Sequence, residues 1–302
     1  MSNNWTLNNM PDQSGKIVIV TGANSGIGYE MALALAEKGA QVILACRNMD
    51  KGSAAVEKIR GEHSGAKAEL MQLDLSDLTS VRKFAHQFTE KYDQLDILIN
   101  NAGVMMIPDL QKTADGFEMQ FGTNHLGHFA LTGLLMKTIL KTPGARVVTV
   151  SSGAHKFGGG VNFDNLNGEK SYSRVAAYGL SKISNLLFTY ELQRKFEAKG
   201  VDAMATAAHP GWTATNLQQH TGVFRLLNPI IAMKPPKGAL PTLLAATDPN
   251  VKGAEYYGPG GMGEMRGFPK KVESNEKSHD KEVAAKLWTV SEELTGVLFD
   301  SL

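Results

Sequence analysis

Two side chains with the types and spacing for proton-transfer chemistry, Tyr178 and Lys182, stand four residues apart in the sequence. In a helix this spacing places them one turn apart on a single face. A free phenol and a free lysine are both protonated at neutral pH. A nearby ammonium favours the phenolate, and Tyr178 could then act as acid and base near neutral pH. The same spacing also occurs in helices where the tyrosine only packs, so the surrounding elements must decide between the two interpretations.

The first of those elements is a strand followed by a glycine turn. Residues 16–21 form a short apolar run rich in β-branched residues, which suits a strand buried on both faces of a parallel sheet. Gly22, Gly26 and Gly28 follow at once and lead into a helix-compatible run. Glycines let the backbone turn tightly and bring its amides to a pyrophosphate at the positive end of the helix. The segment therefore predicts a dinucleotide phosphate loop, with a turn that serves only packing as the alternative.

The second strand, at residues 41–46, bears on the choice of dinucleotide because it ends in Arg47 and Asn48. An acidic side chain near this point selects NAD, whereas an arginine accommodates the 2′-phosphate of NADP. The planar guanidinium can also stack on adenine. Asp50 precedes a helical stretch and is better explained as a charge at a helix N-terminus. The sequence thus favours NADP over NAD, and a solvated arginine at a strand end is the alternative.

Strands and helices continue to alternate along the chain. Further strands are predicted at about 67–73, 95–99, 145–150, 201–207 and 254–257, and helices at about 50–62, 77–91, 115–141 and 237–247, with one bearing Tyr178 that runs to Lys199. The pattern predicts an α/β fold, a single Rossmann domain over residues 1–302 with a doubly wound parallel sheet of about seven strands. Around this core we expect an N-terminal extension at 1–14, an apolar substrate-covering segment at 212–235, a glycine-rich loop at 258–267 and a C-terminal helix at 278–297.

Polar and small residues occur where the predicted strands end, which is where open α/β sheets bind ligands. Asp74 follows the third strand and either contacts adenine or caps the helix that begins near Asp77. The small residues within 100–103 would let a cofactor ribose approach the backbone, and the two asparagines there would fix the turn. After the sixth strand, the backbone at Pro210 and Gly211 or the Thr213 side chain could hold a nicotinamide carboxamide.

Asn124 lies inside the helical pattern of 115–141, where asparagine is a poor helix former. A local kink that frees a backbone carbonyl to hold water would explain it. His125 and His128 lack a third partner at metal-ligand spacing. We therefore interpret them as packing or surface residues and predict no metal site.

Together these motifs resemble the short-chain dehydrogenases/reductases over about residues 15–260. The motifs are Thr21-Gly22-x-x-x-Gly26-x-Gly28, Asn100-Asn101-Ala102-Gly103, Asn124, Ser152, Tyr178-x-x-x-Lys182 and Pro210-Gly211. Each falls in the family's order on the element predicted for it. Finer strings are similar to the retinol dehydrogenase-like and protochlorophyllide reductase-like branch: Cys46-Arg47, Asn124-His-Leu-Gly-His-Phe129, Tyr178-x-x-Ser181-Lys182, His209-Pro-Gly and Leu287-Trp288.

The resemblance implies a catalytic set of Asn124, Ser152, Tyr178 and Lys182. Tyr178 would be the general acid in reduction and the base in oxidation. Lys182 would lower the tyrosine pKa, bind the nicotinamide ribose and connect to a water on the Asn124 carbonyl. Ser152 would hydrogen-bond the substrate oxygen. Ser151 competes for that role, because the 26-residue separation of Ser152 from Tyr178 looks about one residue longer than the branch's pattern.

The resemblance further implies a nicotinamide cofactor, for which Arg47 favours NADP, and a small carbonyl or alcohol substrate. The apolar segment after Thr213 suggests that this substrate is apolar, such as a retinoid, aldehyde, ketone or steroid. The residues expected to bind NADP are Gly22, Asn24, Ser25, Gly26, Ile27, Gly28, Arg47, Asn48, Asp74, Leu75, Asn101, Ala102, Gly103, Tyr178, Lys182, Pro210, Gly211 and Thr213. A homodimer or homotetramer would form through the helices near 115–141 and 174–199. A non-catalytic dinucleotide-binding or redox-sensing module is the alternative, and an epimerase or dehydratase is disfavoured by the short C-terminal part.

Composition bounds the remaining function classes. The 302 residues are 42% hydrophobic and 20% charged, with a net charge of +1 and no long basic run, so nothing indicates nucleic acid or an anionic membrane as a partner. Cys46 is the single cysteine, which excludes an intramolecular disulfide and fits a reducing compartment. Residues 1–13 have no apolar core for a signal peptide, and no run of about 18 apolar residues predicts a membrane span. We therefore expect a cytoplasmic protein.

Overall fold

The computed structural model describes residues 4–157, 159–213 and 232–302. Its strands are β1 (Ile17–Thr21), β2 (Gln41–Cys46), β3 (Lys67–Gln72), β4 (Ile97–Asn100), β5 (Ala145–Val150), β6 (Ala203–Ala208), β7 (Tyr256–Gly261) and β8 (Arg266–Lys271). They form one sheet in the order β3-β2-β1-β4-β5-β6-β7-β8. Neighbouring strands are parallel except β7 and β8. The order reverses between β1 and β4, and such a switch point is where doubly wound sheets bind ligands.

Helices cover both faces of this sheet. They are α1 (Gly26–Glu37), α2 (Met49–Glu62), α3 (Leu78–Lys91), α4 (Met119–Phe121), α5 (Gly127–Lys141), α6 (Arg174–Lys199), α7 (Pro235–Thr247) and α8 (Lys281–Thr295). Val18 and Val20 of β1 lie in one core with α1 and α7, whereas Ile19 lies in the opposite core with α3, α5 and α6. A strand buried on both faces in this way needs the continuous apolar run that the sequence has. The predicted fold class is confirmed.

The loop predicted over 258–267 is wrong, because β7 and β8 pair there as a hairpin. The glycines serve close approach of strands and side chains. A Cβ on Gly258 would collide with the ring of His209, and one on Gly211 would lie 2.6 Å from the Met265 carbonyl oxygen. Glycine content suggested a flexible loop, but here it allows a tightly packed edge of the sheet.

The single helix predicted over 115–141 is also wrong in its first part. The short α4 begins at Met119, and a π-helical turn at Gly122–Leu126 separates it from α5. In this turn the amide of Gly127 donates to the carbonyl of Gly122, five residues back. Such π-turns are frequent at functional sites, and this one contains Asn124.

Both ends of the chain pack onto the fold. The indole of Trp5, in the predicted N-terminal extension, donates to the Asp248 carboxylate at 2.9 Å. In α8 the ring of Trp288 stacks on Phe188 of α6 at 5.7 Å. The predicted covering segment at 212–235 lies outside the described residues between 214 and 231. None of the helices in the described ranges combines the length and apolarity that a bilayer crossing needs.

Candidate active site

A cavity of about 520 Å³ opens at the carboxyl ends of the strands from β3 to β5. It contains fifteen of the residues predicted from the sequence: Gly22, Asn24, Ser25, Gly26, Ile27, Gly28, Arg47, Asn48, Asp74, Leu75, Asn101, Ala102, Gly103, Tyr178 and Lys182. Apolar side chains of Val104, Met105 and Ile107 add to its wall. The phosphate-loop motif and the tyrosine–lysine pair, 150 or more residues apart in sequence, thus line one space.

The glycine turn has the backbone shape that its composition predicts. Gly22 and Gly26 have φ angles of +68° and +57°, which glycine adopts most readily. A Cβ on Gly28 would collide with the Gly22 carbonyl oxygen, so this glycine lets α1 pack against the turn. Ser25 is the N-cap of α1 but accepts no hydrogen bond from the helix amides. The first amides of α1 therefore lack a side-chain cap beside the cavity, and an anion such as a pyrophosphate suits that position.

Thr21 joins the glycine turn to the 100–103 segment. Its hydroxyl oxygen accepts hydrogen bonds from the amides of Asn101 and Ala102, each at 2.9 Å. The Asn101 side chain donates to the Thr21 carbonyl at 2.8 Å. Thus Asn101 fixes the turn as the sequence suggested, and a hydroxyl that composition did not single out holds two of its amides.

The part of the cavity that follows β2 contains two cations. Arg47 and Lys51 are exposed, and among the described residues neither pairs with a carboxylate. The Asn48 side chain caps α2 by accepting the Lys51 amide at 2.8 Å. Lys51 was missed at the sequence level, although its position in the first turn of α2, four residues after Arg47, was a usable signal.

Asp74 lines the cavity but does not cap α3. Its carboxylate accepts the amide and hydroxyl of Ser76, at 2.9 and 2.6 Å. Asp77 is the N-cap, and it accepts from the amides of Thr79 and Ser80. Asp74 therefore shapes the turn after β3, and the helix-capping alternative belongs to Asp77.

Tyr178 and Lys182 stand on α6 with 7% and 4% of their surfaces exposed. The lysine Nζ lies 5.7 Å from the centroid of the tyrosine ring and donates to the Val150 carbonyl at 3.1 Å. Burial raises the pKa of Tyr178 to about 12, a shift that a hydrogen bond with Ser152 opposes. Burial also lowers the pKa of Lys182 to about 8. The tyrosine pKa thus moves opposite to the expected direction, because desolvation of the phenolate dominates.

The two serines at the end of β5 have different surroundings. Ser151 is 2% exposed, and its hydroxyl donates to the Lys182 carbonyl at 2.8 Å. Ser152 is half-buried, and its hydroxyl hydrogen-bonds Tyr178 and accepts the Ala154 amide at 3.2 Å. The carbonyl of Ser152 is held by His155 at 2.7 Å, a residue the sequence did not suggest. Ser152 is therefore the serine hydrogen-bonded to the phenol, whereas Ser151 is the serine that lines the cavity.

Asn124 holds the loop after β4 through its side chain. Its Oδ1 accepts the Val104 amide at 2.8 Å, and its Nδ2 donates to the Val104 carbonyl and the Ser181 hydroxyl, each at 2.9 Å. Its own backbone carbonyl accepts from Nδ1 of His128 at 2.9 Å. The carbonyl expected to be free for water thus already has one donor, and a carbonyl oxygen has a second lone pair for another.

Five of the predicted residues do not line the cavity in the described part of the chain. They are Asn124 and Ser152 of the catalytic set, and Pro210, Gly211 and Thr213 of the cofactor set. The Thr213 hydroxyl donates to the Pro210 carbonyl at 2.8 Å. The amide of Trp212 donates to the Met265 carbonyl in the turn between β7 and β8. The fold thus holds this loop, which directly precedes residues 214–231, against the hairpin of β7 and β8.

Comparison with known proteins gives a consistent family. The sequence model of the short chain dehydrogenases matches residues 16–223. Retinol dehydrogenase 13 of Homo sapiens is 43% identical over 294 residues, which cover 94% of this chain and 85% of that protein. The crystal structure of an uncharacterized protein from Mycobacterium paratuberculosis has 41% identity and a TM-score of 0.83, covering 98% of this chain and 99% of that one.

A short chain dehydrogenase from Shigella flexneri, solved as a complex with NADP, shares the fold. It is 23% identical, with a TM-score of 0.67 over 82% of this chain and 98% of that one. The resemblance to the retinol dehydrogenase-like branch, inferred from short strings around Cys46, Asn124 and Tyr178, is confirmed by the level of identity to the human relative.

Proposed function

Because the chain belongs to the short chain dehydrogenase family, we propose that it is an oxidoreductase that uses NADP to interconvert an apolar alcohol and its carbonyl form. One observation carries the proposal: the buried pair Tyr178 and Lys182 shares one cavity with an uncapped helix N-terminus at a glycine turn. Proton transfer and dinucleotide binding, which this chemistry requires together, are thus available in one place.

NADP rather than NAD is favoured by the charges around the adenosine end. Arg47 follows β2, where an acidic residue would bind the ribose hydroxyls of NAD. Together with Lys51 it offers a guanidinium and an ammonium to a 2′-phosphate, and neither is neutralised by a carboxylate among the described residues. The residues present therefore fit NADP, and the NADP complex of the Shigella flexneri protein is consistent with that choice.

In the reduction direction, a bound NADPH would be the source of the hydride, and the protein's own residues would supply the proton. Tyr178 donates its phenolic proton to the carbonyl oxygen, since burial keeps its pKa near 12 and the phenol stays protonated at neutral pH. The Ser152 hydroxyl donates a hydrogen bond to the same oxygen as negative charge develops there. Lys182 stabilises the phenolate that is formed, and reprotonation of the phenolate then completes the cycle.

An apolar substrate is favoured by the apolar part of the cavity wall. Val104, Met105 and Ile107 line the same cavity as Tyr178, and Phe157, which is exposed, follows the serine segment. Such surfaces bind aliphatic or aromatic groups, while a few polar groups fix orientation. The similarity to a retinol dehydrogenase makes retinoid aldehydes and alcohols reasonable first compounds to assay.

A tyrosine variant tests the proposal. Wild type should oxidise NADPH with at least one member of a panel of apolar aldehydes and ketones that includes retinal. Tyr178→Phe should lower kcat by about 10²–10⁴, because phenylalanine cannot transfer the proton. It should still bind NADPH in a fluorescence titration without substrate. Tyr190→Phe is the matched control, because Tyr190 is also buried on α6 and its hydroxyl pairs with Ser274 at 2.8 Å.

Two outcomes would contradict the proposal in different ways. Unchanged turnover in Tyr178→Phe would remove the tyrosine from the mechanism and leave the oxidoreductase intact. NADPH binding without turnover of any compound in a broad panel would favour the alternative, a non-catalytic dinucleotide-binding module.

A further inference from the structure

His128 is a buried imidazole whose two nitrogens contact two different motifs. It is 1% exposed. Its Nδ1 lies 2.9 Å from the Asn124 carbonyl oxygen, and its Nε2 lies 2.9 Å from the Thr21 hydroxyl. One side chain thus connects the π-turn to the end of β1, where the glycine turn begins.

The hydrogen bonds of its partners determine the tautomer of His128. A carbonyl only accepts, so Nδ1 carries the proton and donates to Asn124. The Thr21 oxygen already accepts two backbone amides, from Asn101 and Ala102. Its own proton is therefore available for Nε2 at 2.9 Å, the alternative acceptor being the Ile99 carbonyl at 3.3 Å. A neutral ring protonated on Nδ1 satisfies both contacts.

The surroundings keep that ring neutral. Burial lowers the pKa of His128 to about 4, and the charge of Lys182 acts in the same direction. Other groups that face it are the Asn124 carbonyl and the Thr21 hydroxyl, neither of which ionises. Burial likewise lowers the pKa of the neighbouring His125, to about 3, so that ring is also neutral at neutral pH. At neutral pH the donor and acceptor roles of His128 are therefore fixed.

Each end of this connection holds residues of the candidate site. Thr21 holds the amides of Asn101 and Ala102, which line the cavity. Asn124 holds both the amide and the carbonyl of Val104. A hydrogen-bonded chain thus runs from the glycine turn through His128 to the π-turn, and both its ends support the 101–104 segment between them.

We infer that His128 is a positioning residue that fixes the Thr21 hydroxyl against the amides of Asn101 and Ala102 and fixes the Asn124 carbonyl in the π-turn, whose second lone pair the family resemblance assigns to a water that connects to Lys182. The inference rests on the proposed function. Its physical basis is that a carbonyl held from one side presents its remaining lone pair in a defined direction, and a hydroxyl whose proton is committed presents its lone pairs to fixed amides. A packing histidine needs neither contact.

His125 is the matched control. It lies three residues before His128, in the π-turn that contains Asn124, and is equally buried, but its Nε2 contacts the Ser291 hydroxyl of α8 at 3.0 Å. Its ring packs against Phe121, Phe129 and Phe188. Substitution there perturbs the same turn and the same core without touching Thr21 or the Asn124 carbonyl.

The experiment separates the two nitrogens with His128→Asn and His128→Gln. The amide of asparagine replaces Nδ1, and the amide of glutamine replaces Nε2. We expect His128→Asn to weaken NADPH binding about fivefold to tenfold, the effect of one lost hydrogen bond, while kcat and its pH profile stay close to wild type. We expect His128→Gln to bind NADPH within about twofold of wild type. Its kcat should fall about fivefold to tenfold, the effect of one lost hydrogen bond, and the pH profile of kcat should shift. His125→Asn and His125→Gln should lower only the melting temperature.

Two results would overturn the inference. One is equal NADPH affinity and an unchanged pH profile in both His128 variants, with a loss of melting temperature that matches the His125 variants. The other is an identical change in the two His128 variants, which would mean that the two nitrogens have no separate roles. NADPH affinity is measured without substrate, so the inference fails in the binding data. The proposed function fails separately, if wild type binds NADPH and reduces nothing.

Discussion

The assignment of Ser152 rather than Ser151 to the substrate oxygen can be tested by changing each serine to alanine. Both hydroxyls stand at the end of β5, so the two variants remove the same group from adjacent positions. In Ser152→Ala the phenol of Tyr178 loses its hydroxyl partner, and the proposed donor to the developing negative charge is lost. Removal of one such donor typically lowers kcat by about 10²–10³.

Ser151→Ala should behave as a stability variant. It removes one buried hydrogen bond, the 2.8 Å contact from the serine hydroxyl to the Lys182 carbonyl. The expected loss is about 1 kcal/mol of unfolding free energy, which corresponds to about 2 °C in melting temperature for a chain of this size. We expect kcat to remain within about threefold of wild type, because a loss of stability of this size leaves nearly all of the protein folded.

The pH dependence adds a second signature. The hydrogen bond with Ser152 lowers the pKa of Tyr178, while burial raises it. Without that bond the pKa rises further, so the phenolate needed for alcohol oxidation forms only at higher pH, and the oxidation profile of Ser152→Ala should move upward in pH. Steady-state assays in both directions, with melting curves, measure these effects. Loss of turnover in Ser151→Ala at unchanged stability, with normal turnover in Ser152→Ala, would refute the assignment.

Two further predictions follow from charge and burial. Arg47→Ala should lower kcat/KM for NADPH about tenfold or more and leave kcat/KM for NADH within about twofold of wild type. Lys51→Ala should act in the same direction. Equal losses for both cofactors would contradict a role in binding the 2′-phosphate. Burial lowers the pKa of His125 to about 3 and that of His128 to about 4, from 6.5. Below pH 6.5 the unfolded chain therefore binds protons that the folded chain does not, and the free energy of unfolding falls as the pH drops from 6.5 toward the folded pKa values. The expected loss approaches about 1.4 kcal/mol per pH unit for each histidine, and urea titrations at roughly pH 7.5 and 5.5 would show equal stabilities if the rings were not buried neutral.

The sequence was sufficient for elements whose signal is local. The apolar run before Gly22 predicts a doubly buried strand, and the glycines after it predict the turn, because both properties depend on a few adjacent residues. The hairpin of β7 and β8 could not be predicted in this way. Gly258 is required by the ring of His209, which follows β6 and is distant in sequence, so its reason for being glycine is tertiary.

Asn124 shows the same limit within one helix. Its poor helix propensity indicated an irregularity, and the π-turn supplies one. The partner of its carbonyl is His128, one turn away and thus close in sequence. The sequence does not reveal the contact, because a histidine in a helical pattern suggests a metal ligand or a packing residue. A hydrogen bond from i+4 back to a freed carbonyl is a third role, and it leaves no signature in composition.

The pKa of Tyr178 shows why pairwise reasoning gives an incomplete account of catalysis. From the sequence, a lysine four residues away lowers the phenol pKa; in the fold, removing the phenolate from water has the larger effect, and Lys182 donates to the Val150 carbonyl instead. The same burial lowers the pKa of Lys182 to about 8, so its positive charge is itself costly to keep. Any group that binds between them and gives the lysine a hydrogen-bond acceptor would favour the charged lysine and, through it, the phenolate. In the proposed mechanism, cofactor binding and proton transfer would therefore be coupled through the Lys182 amine, and a phenol that stays protonated until the site is filled would donate its proton only then.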